Sequence, residues 1–164
     1  MWSAGGLNAA VTPAVTALEA AGVPFTLHEY EHDPTVRGFG LEAAGVLGLD
    51  PDQVFKTLVV SADGEPAVAI VPVSGQLSLK GVGTALGRKR VEMCDPAVAQ
   101  RVTGYVLGGI SPFGQRKLLP TVIDETCELY DTVYVSGGRR GLDVGVAPAD
   151  LIGVLAAKVW DIVA

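Results

Sequence analysis

The run Val54-Phe55-Lys56-Thr57-Leu58-Val59-Val60-Ser61-Ala62-Asp63-Gly64-Glu65-Pro66-Ala67-Val68-Ala69-Ile70-Val71-Pro72-Val73 reads as two strands and a tight turn. Residues 54–61 and 67–73 are mostly β-branched or small and apolar, and Asp63-Gly64 between them suits a two-residue hairpin turn. Both period-two faces of the first strand are apolar: Val54, Leu58 and Val60 on one, Phe55 and Val59 on the other. Such a strand is expected to be covered on both sides. Lys56 is the exception to the pattern. A buried ammonium without a partner is strongly unfavourable, so Lys56 either meets an anionic or hydrogen-bonding group or snorkels to solvent from the strand's start.

Upstream, Thr12-Pro13 predicts a helix with Thr12 as N-cap and Pro13 in its first position, ending at Gly22. Residues 25–30 alternate as a strand, and a short helix over 40–48 stops at Gly48. Downstream, residues 79–86 predict a helix, 91–93 a short strand, and Asp95-Pro96 opens a helix to about Arg101. After Gly104, the apolar runs 105–107 and 120–123 alternate with glycine-rich loops. Runs 130–135 and 142–146 flank residues 136–141, which read as a long hairpin loop. Pro148 opens a last helix to about Ala157, and 159–163 reads as a closing strand. Hairpins interspersed with helices predict an α+β fold with a mixed, curled sheet.

The chain has 164 residues, 49% hydrophobic and only 18% charged, which excludes a polyelectrolyte or disordered chain. No apolar run approaches the ~20 residues of a membrane span, and the first residues show no secretory signal, so a cytoplasmic protein is expected. The net charge of −6 argues against non-specific coating of nucleic acid. Its distribution is uneven. Residues 1–79 carry two basic and nine acidic side chains, net −7, whereas residues 80–140 carry nine basic and six acidic, net +3. Such a stretch is either a solvated surface or a local site for a polyanion.

Few residues offer ready-made chemistry. His28 and His32 lie four apart on a strand running into a turn, a spacing that does not bring two imidazoles to one metal. Cys94 and Cys127 read as ordinary semi-buried thiols. The stretch Gly104-Tyr105-Val106-Leu107-Gly108-Gly109-Ile110-Ser111-Pro112-Phe113-Gly114 can present backbone N–H groups to a phosphate or a developing oxyanion, or serve as a structural loop. It is neither a nucleophile elbow, because Phe113 stands where glycine is required, nor a P-loop, because Ile110 follows Gly109.

Several segments together resemble one family. They include Tyr30-Glu31-His32-Asp33-Pro34, Leu49-Asp50-Pro51-Asp52-Gln53-Val54-Phe55-Lys56-Thr57-Leu58, Gly104-Tyr105 through Gly114-Gln115, and Tyr134-Val135-Ser136-Gly137-Gly138-Arg139-Arg140-Gly141-Leu142-Asp143. The ordered set is similar to the YbaK/ProX-type aminoacyl-tRNA deacylases, and within them to the YbaK branch acting on Cys-tRNA(Pro). The resemblance covers 12–164 as one domain and leaves 1–11 as an N-terminal tail. It implies a mostly antiparallel mixed sheet curled into a partly open barrel with flanking helices. It further implies trans-editing of Cys-tRNA(Pro), or of Cys-tRNA(Cys), by attack of the substrate's own cysteine thiol, with no protein nucleophile, cofactor or metal. Lys56, Gly108 and Gly109 match the catalytic positions: Lys56 would hold the aminoacyl or adenosine end, and the two glycine amides the oxyanion. Tyr30, Thr57, Ser111, Ser136 and Asp143 match substrate-binding positions, with Asp143 facing the α-ammonium. The implied partners are the aminoacyl-tRNA acceptor end and prolyl-tRNA synthetase, with neither a membrane nor duplex DNA. Editing of another small residue, as on Ala-tRNA(Pro), and a non-catalytic tRNA- or synthetase-binding module are the alternatives.

Overall fold

The computed structural model describes residues 11–35 and 38–164; residues 1–10 of the expected tail lie outside the described residues. At its centre are β2 (Phe55–Ala62) and β3 (Glu65–Pro72), which follow β1 (Phe25–Glu29) in the chain. They pair antiparallel, with Phe55 opposite Pro72 and Ala62 opposite Glu65. Asp63 and Gly64 between them both have positive φ, 51° and 85°, as the right-handed strand twist favours in a two-residue turn. Both faces of β2 are covered as expected. Phe55 and Val59 enter one core cluster, and Val60 and Ala62 enter another.

The helices are α1 (Pro13–Ala21), α2 (Phe39–Leu47), α3 (Leu79–Leu86), α4 (Pro96–Thr103) and α5 (Pro148–Leu155). Their ends follow local signals. Thr12 Oγ1 accepts the Val15 N–H, Asp95 caps α4 through the Ala97 N–H, and Gly22, Gly48, Gly87 and Gly104 stop helices in the left-handed conformation. The remaining strands are β4 (Val91–Met93), β5 (Thr121–Asp124), β6 (Val133–Arg139), β7 (Leu142–Val146) and β8 (Lys158–Trp160).

These strands form two sheets, with orders β4-β2-β3-β5-β8 and β1-β7-β6. Pairing is antiparallel except for β3–β5 and β5–β8. The sheets meet where the Tyr134 N–H donates to Gln53 O (3.1 Å), and the barrel stays open. The main core draws on both sheets, with Phe55, Val59, Val68 and Ile70 against Val133, Val135, Val144 and Val146, closed by Leu18, Phe113 and Leu151. On the other side of the larger sheet, Val60, Ala69, Val71 and Val122 pack with Val82 of α3 and with Ile162. The α+β class and the partly open, mixed sheet are as expected.

Gly104 ends α4 at φ 84°, and Tyr105 after it is a buried anchor whose hydroxyl donates to Phe113 O (2.6 Å). Two local expectations need correction. The long loop at 136–141 is instead strand up to Arg139, bulged after Ser136 and turned by Arg140-Gly141, with Gly137 and Gly138 (φ 107°) as two residues that have no partner on β7. A 3₁₀ helix over Glu125–Leu129, capped by Asp124, follows β5. The closing strand stops at Trp160 and resumes only as a bridge between Val163 and Leu77.

Candidate active site

Where β2 emerges from the core, a cleft of about 390 Å³ opens between it, the start of α2, the turn at 107–110, and β6–β7. Tyr30, Lys56, Thr57, Gly108, Ser136 and Asp143 all line it. Residues 113 positions apart in the chain are thereby brought to one cavity.

Lys56 is half-buried at the first turn of β2, on the face that also carries Leu58 and Val60. Its ammonium has no hydrogen bond or ion pair among the described residues. The neighbouring Thr57 Oγ1 is buried and has no hydrogen-bond partner among the described residues, which costs about 1–3 kcal/mol unless a ligand supplies one. Asp143 sits on β7 opposite Ser136 of β6 and His28 of β1. Only 5% exposed and with no ion pair among the described residues, its carboxyl is pushed up by burial to about 7. Tyr30 is pushed up from its usual value by burial and by the nearby Asp143. Ser136 Oγ accepts the Gly138 N–H (3.2 Å) and so braces the bulge while lining the cleft.

The two glycines have different surroundings. Gly108 has φ 84°, and a Cβ there would come within 2.6 Å of Arg140 Nε and 2.8 Å of the Phe39 ring. Gly109 lies against the backbone of Arg139 and Arg140, at 2.8 Å from a Cβ position to Arg139 Cα. Its N–H closes the turn onto Val106 O (3.0 Å) and is unavailable to a ligand. The N–H groups of Gly108 and Ile110, both in the cleft lining, have no hydrogen bond among the described residues. Of the two glycine amides singled out in the sequence, Gly109's is thus bonded within the turn, and Gly108's is not bonded among the described residues. Ser111 lies outside the lining: it is fully buried, and its Oγ accepts the Phe113 N–H (3.2 Å), shaping the turn from behind.

The opposite wall was not anticipated. Phe39 and Leu41 of α2 line the cleft, and the Arg140 guanidinium lies 4.5 Å over the Phe39 ring while Nε donates to Leu107 O (2.8 Å). Gly40 lets the start of α2 pack directly against Val73, whose side chain a Cβ there would clash with. Its visible signal was the Gly38-Phe39-Gly40 pattern, whose meaning depends on a neighbour 33 residues away. His32 Nδ1 pairs with Glu42 (2.7 Å), tying the 30–35 segment to α2, and His28 Nε2 bonds Thr26. Burial raises both thiols, Cys94 above its usual value and Cys127 to about 12, which leaves them poor nucleophiles. Among the described residues, neither a histidine nor a cysteine lines the cleft.

Comparison with known proteins places this geometry in context. The profile of the aminoacyl-tRNA editing domain matches residues 34–154. A protein of Enterococcus faecalis, provisionally named Cys-tRNA(Pro)/Cys-tRNA(Cys) deacylase EbsC, is 35% identical over 145 residues, covering 87% of both chains. A segment amounting to 15% of a Geobacter proline–tRNA ligase is 36% identical to 53% of this chain. A crystal structure described provisionally as a trans-editing enzyme for prolyl-tRNA synthetase shares the fold, with TM-score 0.83 at 24% identity over 93% of this chain and 95% of that one. The chain belongs to the aminoacyl-tRNA editing domain family and is an aminoacyl-tRNA deacylase.

Proposed function

We propose that the protein hydrolyses Cys-tRNA(Pro) in trans, with the substrate's own thiol as nucleophile. The observation that carries this reading is a cleft with an unpaired cation and free amides but no histidine, cysteine or assembled serine base among its described lining residues. Discrimination against cysteine by binding alone is limited in a proline-sized pocket, which makes a second hydrolytic step chemically necessary. The relative's name points to the same substrate class.

In this mechanism the cysteine sulfur attacks the ester carbonyl and the C–O bond to the ribose breaks. The thiol proton ends on the ribose oxygen, leaving a thiolactone that water opens to free cysteine. The N–H groups of Gly108 and Ile110 stabilise the oxyanion, contributing most when its charge develops. Lys56 holds the ribose–aminoacyl junction from the other wall. Thr57 Oγ1 gains the partner it lacks, and Tyr30 and Ser136 bound the amino-acid end. Asp143, raised to about 7 in the empty cleft, loses its proton when the substrate α-ammonium docks and then pairs with it. The enzyme would act in the cytoplasm, on free mischarged tRNA or on tRNA released by prolyl-tRNA synthetase.

A deacylation panel over Cys-, Ala-, Ser- and Pro-tRNA(Pro), with wild type and Lys56→Ala, tests the reading. Cysteine is released and the others are spared. Lys56→Ala lowers kcat/KM about 10–100-fold, the loss of one charge-assisted contact. Its Tm is unchanged, since Lys56 has no intramolecular partner to lose among the described residues. Alanine released as fast as cysteine would remove the thiol from the mechanism and favour an alanine editor. Turnover absent from both proteins, with tRNA binding intact, would favour a non-catalytic binding module.

A further inference from the structure

The basic stretch recognised in the sequence is not consumed by the cleft. Two further concavities, of about 270 and 420 Å³, lie side by side and share Arg88. Lys117 and Lys158 line the first, with Arg88; Lys80 and Lys89 line the second, again with Arg88. The four lysines are exposed. Acids stand nearby as well, among them Asp161, whose backbone lies against Gly81 beside Lys80, and exposed Glu92 next to Val91 of the second concavity. Glu65 pairs with Arg88 (3.1 Å), and Asp63 accepts the backbone N–H groups of Lys89 and Arg90, leaving the lysine side chains unclaimed by it. In a protein of net charge −6, cations outnumber acids here, so the arrangement forms a local positive field.

Its position relative to the cleft is set by β2. Lys56 stands at one end of that strand, and Ala62, which lines the first concavity, at the other. The two share one strand face, six residues apart, or about 20 Å of extended chain. α3, packed through Val82 on that same face, carries Lys80 and leads into Arg88 and Lys89.

We propose that this face is a second binding surface for the phosphodiester backbone of the RNA whose aminoacylated end occupies the cleft. The inference rests on the deacylase reading for the identity of the RNA, though not for the presence of a phosphate-binding face. Phosphate contacts position a nucleic acid without reading its sequence, and exposed lysines around shallow concavities suit that role. The face adds affinity for whole tRNA and nothing for the ester itself.

The test compares wild type with Lys80→Gln/Lys89→Gln/Lys117→Gln, three exposed positions outside the cleft. KM for full-length Cys-tRNA(Pro) rises at least tenfold at unchanged kcat, while turnover of the same cysteinyl ester on a CCA trinucleotide is unaltered. The slope of log affinity against log salt for uncharged tRNA falls in magnitude by about 2–3, one counterion per lost contact. Unchanged KM and slope would overturn the proposal. So would a variant that binds tRNA normally but fails to bind prolyl-tRNA synthetase, which would make the face a protein dock. If wild type cleaves neither ester, the deacylase reading fails, and the salt slope with uncharged tRNA still decides this one.

Discussion

The chemistry of the cleft rests on a few side chains whose state is set by what surrounds them. Asp143 is a carboxyl at 5% exposure with no ion pair among the described residues, and burial lifts it from 3.8 to about 7. Because the folded protein then holds a proton that the unfolded chain has released, its contribution favours folding below pH 4. That contribution is lost as pH rises from about 4 through about 7, about 4 kcal/mol in all. Asp143→Asn is therefore expected to raise Tm at pH 8 relative to wild type, with little difference at pH 4, while Cys-tRNA(Pro) cleavage falls at least tenfold. Equal pH dependence of Tm in the two proteins would refute the buried neutral carboxyl. Gly108 is constrained in another way. With φ 84° and the Arg140 and Phe39 side chains within 3 Å of any Cβ, Gly108→Ala strains the backbone by about 1–2 kcal/mol and pushes apart the stacked wall. Thermal unfolding should show Tm lower by about 2–8 °C, and kcat should drop more than that loss of stability explains.

Among the elements, β5 and the 3₁₀ helix after it depend on one buried carboxylate. Asp124 is 1% exposed; Oδ2 accepts the Thr126 N–H and hydroxyl, and Oδ1 accepts the Ile162 N–H (2.9 Å). It thus caps the helix and fastens the end of the chain, where Ile162 fills the core under α3. Asp124→Ala leaves the buried Ile162 N–H without a partner and removes a cap, costing about 2–4 kcal/mol. Chemical denaturation should record that loss, and hydrogen exchange should quicken first in residues 158–164; protection unchanged there would show that Asp124 does not hold the terminus.

At the scale of the molecule, two sheets share one core. Their direct seam is narrow: Gln53 O accepts the Tyr134 N–H, and Gln53 Nε2 donates to Thr132 O (2.7 Å). The main cluster, in contrast, interleaves side chains from both sheets, so neither can open without exposing the other's apolar face. The protein is expected to unfold in one transition, coincident by near- and far-UV circular dichroism. Gln53→Ala should lower its midpoint by about 2–4 °C without splitting it. Two separable transitions would mean that the sheets are independent units. The same architecture sets the cleft and the basic face at opposite ends of β2, a separation that suits a long polyanion better than a small ester.

The hairpin at 55–72, the helix caps at Thr12 and Asp95, and the glycine stops at 22 and 48 were legible because each depends on residues within a few positions of one another. The charge segregation was equally plain, since it is a matter of counting. Partnership across the fold was not. That β3 and β5 run parallel, that Phe39 stacks on Arg140, and that the Gly109 amide is spent on Val106 while those of Gly108 and Ile110 have no bond among the described residues are outcomes of packing. The neutral Asp143 follows from desolvation by strands far away in the chain. Local propensity can specify a turn or a cap, because the competing states differ within one segment. Burial and proximity exist only once distant segments have met, and they decide which of the candidate groups share a cleft and in what protonation state.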